Sequence, residues 1–367
     1  MQRSKPPFRA DQVGSLLRSA PVKAARTRKL AGEITAAELR AIEDTEIRKL
    51  VARQEAIGLQ GVTDGEFRRS WWHYDFLAGL RGVELVSVAQ GLQFKGTQTK
   101  AEGLHVHGKI DFPADHPMLG HFRFLKSTAT QTPKMTIPSP TALHYRGGRQ
   151  AIEKAVYTEM EPFFEDLGKA YAKAVRAFGE AGCTYLQLDE VFVAYLCDAN
   201  QRDYLRGRGD DPDRLLHIYA DLVNAACAGR TPGMTISMHL CRGNFRSTWM
   251  AQGGYEPVAD ILFNKMNVDA YFMEYDTERA GGFEPLRLLP ANKHAVLGVM
   301  TSKTGALESK DHLKRRIEEA SKFAPLDQLC LSPQCGFAST EEGNLLAEDE
   351  QWAKLARCVE VAEEVWG

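Results

Sequence analysis

The sequence predicts an α/β fold, a (β/α)8 TIM barrel with a β-hairpin-like insertion between strands two and three, on three observations. From residue 134 onward, short apolar runs alternate with amphipathic helical stretches, the pattern of βαβ units. With two earlier runs, the strand candidates number eight. Reactive side chains fall at the C-terminal ends of these runs, the rim on which such barrels build their sites.

The first strand candidate is QVGSL near 12–16 and the second LQGVTD near 59–64, separated by a charged helix over Ala36 to Ile57. Residues 80–132 break the rhythm: VELVSVAQ, LQFKG, LHVHGKIDF and HFRFLKS alternate apolar and polar positions, as hairpin strands do. Such an insertion would cover the barrel mouth or make a subunit contact in a homo-oligomer. The remaining strands are MTI (135–137), TYLQL (184–188), MTISM (234–238), AYFME (270–274), HAVLGVM (294–300) and QLCLS (328–332). Apolar spacings of three and four predict helices over Thr158 to Gly179, Pro212 to Ala228, Lys310 to Phe323 and Glu348 to Val365. The expected organisation is a single barrel domain over 1–367, with the insertion at about 80–132. No G-x-G-x-x-G follows the first strand, so no nucleotide cofactor is expected.

Composition narrows the partners. With 46 basic and 48 acidic residues in 367 and a net charge of -2, the chain offers no field to gather nucleic acid or a membrane surface. No run approaches the length of a membrane span and the N-terminus lacks a signal-peptide pattern, so a cytoplasmic protein acting on small molecules is expected. The seven cysteines lack the spacing of a disulfide scaffold and read as reduced thiols, free to serve as metal ligands.

Ser15 follows the first strand, Asp64 and Glu66 the second, Asp189 and Glu190 the fourth, and His239 and Cys241 the fifth. Glu274 closes the sixth, Lys303 lies past the seventh and Cys335 past the eighth. His239 and Cys241 are two apart, so on a strand end both point to one side. Convergence of these two with Glu274 and Cys335 would make a tetrahedral zinc site of one imidazole, two thiolates and a carboxylate. Thiolate-rich zinc activates a further thiol, because binding strips the proton from a group that is mostly protonated at pH 7.

Six ordered motifs, VGSLLR (13–18), TDGEFRR (63–69), LQLDEV (186–191), HLC (239–241), FMEYD (272–276) and PQCG (333–336), resemble the catalytic barrel of the cobalamin-independent methionine synthase family. The resemblance covers most of the chain and is to a short, single-barrel branch, since the complete two-barrel enzymes are longer. It implies a zinc-dependent methyltransferase, without cobalamin, that passes a methyl group from a methyl-folate-like donor to homocysteine and gives methionine. By the same resemblance His239, Cys241, Glu274 and Cys335 bind zinc, Glu274 being the ligand an incoming thiolate displaces most easily. Ser15, Glu66 and Asp189 hold the amino-acid end of the acceptor.

Two segments depart from the family pattern. VMTSKTG stands where the family has a histidine that assists the departing donor, which makes Lys303 the catalytic candidate there. TIPSPTALHY replaces a region that presents a tryptophan to the pterin, leaving Trp71, Trp72 and Tyr145 as aromatic substitutes. Arg242 and Arg246 after the fifth strand are candidates for binding a substrate carboxylate or phosphate. The same zinc chemistry on a sulfonate-bearing, coenzyme M-like thiol with an alkyl or epoxide electrophile is the alternative enzymatic reading. A non-catalytic zinc- or thiol-binding barrel is the second.

Overall fold

The computed structural model describes residues 3–367. In chain order the strands are β1 (Gly61–Val62), β2 (Arg81–Ser87), β3 (Gln93–Phe94), β4 (Thr97–Gln98), β5 (Glu102–Asp111), β6 (Thr132–Pro138), β7 (Tyr185–Asp189), β8 (Thr235–Leu240), β9 (Ala270–Glu274), β10 (His294–Met300) and β11 (Leu329–Pro333). The helices are α1 (Ala20–Leu30), α2 (Ala36–Ala56), α3 (Tyr74–Leu77), α4 (Pro117–Thr128), α5 (Thr141–Gly147), α6 (Met160–Glu180), α7 (Phe192–Tyr195), α8 (Ala199–Gly207), α9 (Pro212–Cys227), α10 (Ala259–Lys265), α11 (Lys310–Ser321) and α12 (Glu348–Trp366). Seven strands form one parallel sheet in the order β1-β6-β7-β8-β9-β10-β11, curled into a barrel, as the alternation of runs predicts. Among the described residues, no helix is long and apolar enough to cross a membrane.

The eighth position is filled differently from expectation. QVGSL forms no strand; the chain makes a single parallel bridge, Ala10 to Leu331, and then runs on irregularly between β11 and β1. Asp11 N–H donates to Leu331 O (2.9 Å) on one side and Leu16 N–H to Gly65 O (3.1 Å) on the other. Side chains replace the missing ladder: Thr63 Oγ1 donates to Gly14 O (2.6 Å) and Gln187 Nε2 to Val13 O (2.7 Å). Gly14 explains the irregularity, for its φ is +140° and a Cβ there would stand 2.7 Å from Thr136 Cγ2.

Strand parity divides the barrel into an outer apolar face and a graded interior. Leu186, Leu188, Met238, Leu240, Leu297 and Leu331 belong to the main core cluster beneath the helices. Inward at the N-terminal end, Phe8, Tyr185, Phe272, Val296 and Cys330 form a second apolar cluster, and Lys134 lies over the Phe272 ring at 3.9 Å. Lys134 pairs there with Asp11 (3.2 Å), both wholly inaccessible, and Asp11 also accepts the Tyr185 hydroxyl at 2.8 Å. Further up, the inward positions turn polar with Thr136, Gln187 and Ser237, and the next residues are Asp189 and His239.

The insertion is smaller than the alternation suggested. β2 and β5 pair antiparallel and β3 and β4 make a short hairpin at their tip, but HFRFLKS lies in helix α4. Its buried residues Met118, Leu119, Phe122 and Leu125 make a helical stripe, and the buried His116 caps the helix by accepting Met118 N–H. The tip folds over the mouth, where Lys95 N–H donates to Trp249 O (3.1 Å) and Phe94 packs on Phe245.

Lys134→Met leaves the Asp11 carboxylate buried without its counter-charge, so it is expected to cost about 3–5 kcal/mol of stability, read as a lower urea midpoint. The double variant with Asp11→Asn should recover part of that loss.

Candidate metal centre and substrate cavity

β8 ends on His239 and Leu240, and Cys241 follows, so the two-residue spacing sends His239 and Cys241 to the same inward side. Cys335 arrives from the turn after β11. One ligand atom from each of these three buried residues lies within 4.8 Å of the other two, and Cys335 Sγ is 3.5 Å from His239 Nε2. The Cys241 thiol, together with His239, holds Cys335 well below the usual thiol range, while interaction with Cys335 and burial push Cys241 up. Burial alone would lower the imidazole pKa, yet Cys335 and the nearby carboxylates raise it. His239 Nδ1 is buried without a hydrogen-bond partner. Two sulfurs and an imidazole, polarised toward the thiolate and with a buried ring nitrogen unspent, fit a zinc ion in donor type and in spacing.

Glu274 lies outside that cluster. Its Oε2 accepts Arg242 N–H at 2.7 Å, its Oε1 is bound by the Arg279 guanidinium, and Lys303 Nζ stands 3.6 Å away. Burial works to raise its pKa, but Lys303, Arg242 and Arg279 outweigh it and hold the carboxylate at about 2. Lys303 is not on the cavity wall; it sits between Glu274 and Asp276, 3.8 Å from the latter. Arg242 also turns away from the cavity. Fully buried, it donates to Gly253 O and Ala280 O (3.1 Å) and to the Tyr255 hydroxyl (3.0 Å), which makes it an anchor for the loops behind the metal cluster.

Ser15, Glu66 and Asp189 do line the cavity that contains His239, Cys241 and Cys335. Gly336 makes room for Ser15, since a Cβ there would meet Ser15 Oγ at 1.9 Å. Glu66 adopts a left-handed backbone, φ +59°, after Gly65 in the turn that follows β1. Its Oε1 accepts Thr136 Oγ1 (2.9 Å) beside Arg69 (3.5 Å), while Oε2 is buried without a partner. Burial raises the Glu66 pKa even against Arg69 and Arg18. Burial first, and then the neighbouring Glu66, push Asp189 up to about 7. Asp189 thus stands beside a second buried carboxylate whose Oε2 has no partner, an arrangement that a cation in the cavity would relieve.

The cavity wall also contains residues that the sequence did not single out: Phe94, Arg146, Tyr195 and Asn244. Asn244 Nδ2 donates to Gly336 O at 2.9 Å and ties the β8 turn to the β11 turn. Its signal was adjacency to Cys241; Phe94 had only the hairpin pattern, and Arg146 and Tyr195 had none. Of the aromatic candidates Trp72 reaches the cavity, whereas Trp71 packs among Tyr74 and Phe245 and Tyr145 donates its hydroxyl to Gln201 (2.8 Å).

Comparison with known proteins identifies the family. A profile of the family described as the cobalamin-independent synthase catalytic domain matches residues 8–364. The uncharacterized protein YxjG of Bacillus subtilis (strain 168) is 54% identical over all of this chain and 97% of its own length. The 5-methyltetrahydropteroyltriglutamate–homocysteine methyltransferase of Bacillus velezensis is 24% identical over 91% of this chain but only 40% of its own length. A solved structure from Listeria monocytogenes, described as a candidate vitamin-B12-independent methionine synthase, superimposes with a TM-score of 0.80 at 42% identity, covering 100% of both chains. With the profile spanning nearly the whole chain and a solved relative 42% identical over all of it, the protein belongs to the cobalamin-independent methionine synthase family, of whose catalytic domain it is a version.

Proposed function

We propose that this protein is a zinc-dependent methyltransferase that moves a methyl group from a small-molecule carrier to the thiol of homocysteine, giving methionine. The observation that carries the reading is the shared cavity. Soft donors for a metal and its thiolate, His239, Cys241 and Cys335, face the same space as Ser15, Glu66 and Asp189. An acceptor with a thiol at one end and an ammonium at the other matches that polarity.

Glu66 and Asp189 receive the ammonium, whose charge relieves the repulsion between them. Ser15 offers a hydroxyl to the acceptor's carboxylate. His239, Cys241 and Cys335 hold the zinc, which when bound supplies a thiolate nucleophile at neutral pH. Trp72 and Phe94 close the outer wall with apolar surface, which keeps water from the reacting thiolate. A sulfonate-bearing thiol would need cations at the Glu66 end of the cavity. Arg242 is committed to backbone carbonyls and Lys303 lies beside Glu274 and Asp276, so neither of the two cations that favoured that alternative lines the cavity, whose wall carries Arg146 instead.

Cys335→Ser is expected to release the metal and abolish methionine formation. Retention of stoichiometric zinc by that variant, measured by elemental analysis after dialysis, would count against the reading. Glu66→Gln and Asp189→Asn each remove half of the ammonium receptor. They should raise the KM for homocysteine by about 10–100-fold while leaving bound zinc unchanged, the range expected for losing a charge-assisted contact.

A further inference from the structure

We infer that Arg146 and Tyr195 form an anion-binding subsite on the cavity wall, which takes a carboxylate or phosphate-type group of the methyl donor and so selects that donor. The inference deepens the methyltransferase reading above and rests on it for the identity of the second substrate.

Arg146 lies in the last turn of α5 and Tyr195 ends α7. The two helices pack through Tyr145 and Phe192, whose ring centroids are 4.7 Å apart, and both side chains reach the cavity that contains His239, Cys241 and Cys335. The contacts of the Arg146 guanidinium are uncharged: Nη1 stands 4.0 Å from Met250 Sδ and the guanidinium lies over the Phe192 ring at 5.0 Å. Its Nε is buried without a hydrogen-bond partner, and so is the hydroxyl of the fully buried Tyr195. Arg69, Arg242 and Arg279 are by contrast tied to Glu66, to the Gly253 carbonyl and to Glu274. Beside Arg146, the wholly buried His73 stacks on Trp72 at 4.4 Å; burial first, and then the Arg146 charge, hold its imidazole well below the ordinary range. A positive field without a local counter-charge thus faces the cavity from this wall.

The wall is also kept open. Gly243 has a φ of +89°, and a Cβ there would stand 2.8 Å from the Tyr195 hydroxyl and 3.1 Å from Phe94. Any side chain at that position would crowd the space in front of Tyr195. An anion entering it would accept charge-assisted bonds from the guanidinium fork and a further bond from the phenol, which ends the desolvated isolation of both groups.

The donor is the substrate that needs this subsite. On the reading above, homocysteine already places its thiol at the metal cluster, its ammonium at Glu66 and Asp189 and its carboxylate at Ser15. The cations that act most on Glu66 are Arg69 and Arg18, and on Asp189 Arg69, so Arg146 serves another part of the cavity. Trp72 and Phe94 share its wall and offer aromatic surface to the body of the same ligand.

Calorimetric titration of the zinc-loaded, homocysteine-saturated protein with benzoate, phenylphosphonate and the neutral isostere benzamide tests the inference. At least one of the two anions should bind about tenfold or more tighter than benzamide, and the tighter of them names the donor's anionic group as carboxylate or phosphate-like. Arg146→Gln should abolish that preference, Arg146→Lys should keep it in weakened form, and Tyr195→Phe should lower anion affinity by about threefold to tenfold, while homocysteine affinity in Arg146→Gln stays within about threefold of the parent. Thermal melts of each variant report folding separately, and the ratio of anion to benzamide affinity is a quantity that a merely structural role would not move. Equal binding of all three probes by the parent overturns the inference, as does an undiminished anion preference in a folded Arg146→Gln. A loss of homocysteine affinity of about tenfold or more in that variant overturns it too, since Arg146 would then serve the acceptor. Failure of the parent to bind homocysteine sinks the methyltransferase reading and with it the assignment of the anion to a methyl donor, whereas the same probes titrated without homocysteine still decide whether Arg146 binds anions.

Discussion

The buried pair of Asp11 and Lys134 holds together a barrel that lacks one of its strands. Residues 9–16 make only one bridge to β11, so no continuous ladder fixes their register. Asp11 sets it instead: it accepts Phe8 N–H (3.0 Å), Gln12 N–H (2.8 Å) and the Tyr185 hydroxyl while facing the Lys134 ammonium from β6. Lys134 also donates to Gln12 O. Desolvation of both charges is offset because Asp11 accepts further hydrogen bonds and Lys134 adds a carbonyl and the Phe272 ring to its carboxylate partner, the kind of support that buried pairs need. Ser15, four residues beyond Asp11, reaches the cavity from this otherwise irregular segment.

Above that pair, the barrel changes character along its axis. Outward-facing positions remain apolar from end to end, because helices cover them throughout. Inward positions run from Phe272 and Tyr185 through Gln187 and Ser237 to Asp189, His239 and Cys241. Gln187 Nε2, one inward position below Asp189, donates to that carboxylate at 2.7 Å. The cavity is the rim of this gradient, and the loops between strands and helices give it side chains in several orientations.

Carboxylates in this interior fall into two environments. Glu274 is surrounded by Arg242, Arg279 and Lys303 and stays ionised, whereas Asp189 and Glu66 lie close together with Arg69 and Arg18 supplying less than burial takes away. The first environment is complete without a ligand. The second leaves Glu66 Oε2 buried without a partner at the cavity, so the two environments differ in what each still has to offer.

Period-two spacing within HLC was sufficient to place His239 and Cys241 on one side, and the order of apolar runs was sufficient for the parallel sheet, because both follow from local backbone geometry. What surrounds Glu274, and whether Arg242 faces the cavity, depended on where their partners lie. Arg279 belongs to a turn with no periodicity, and the carbonyls of Gly253 and Ala280 that hold Arg242 come from separate loops. HFRFLKS shows the same limit on a smaller scale, since alternating apolar residues also fit one face of a short helix and α4 is decided by what Phe122 and Leu125 pack against. The sequence by itself determined which residues reach the rim, through strand parity and strand ends. Only the tertiary structure decided which of those charges face each other and which face the cavity, because hydrogen-bond partners drawn from distant loops compete for every buried carboxylate and cation.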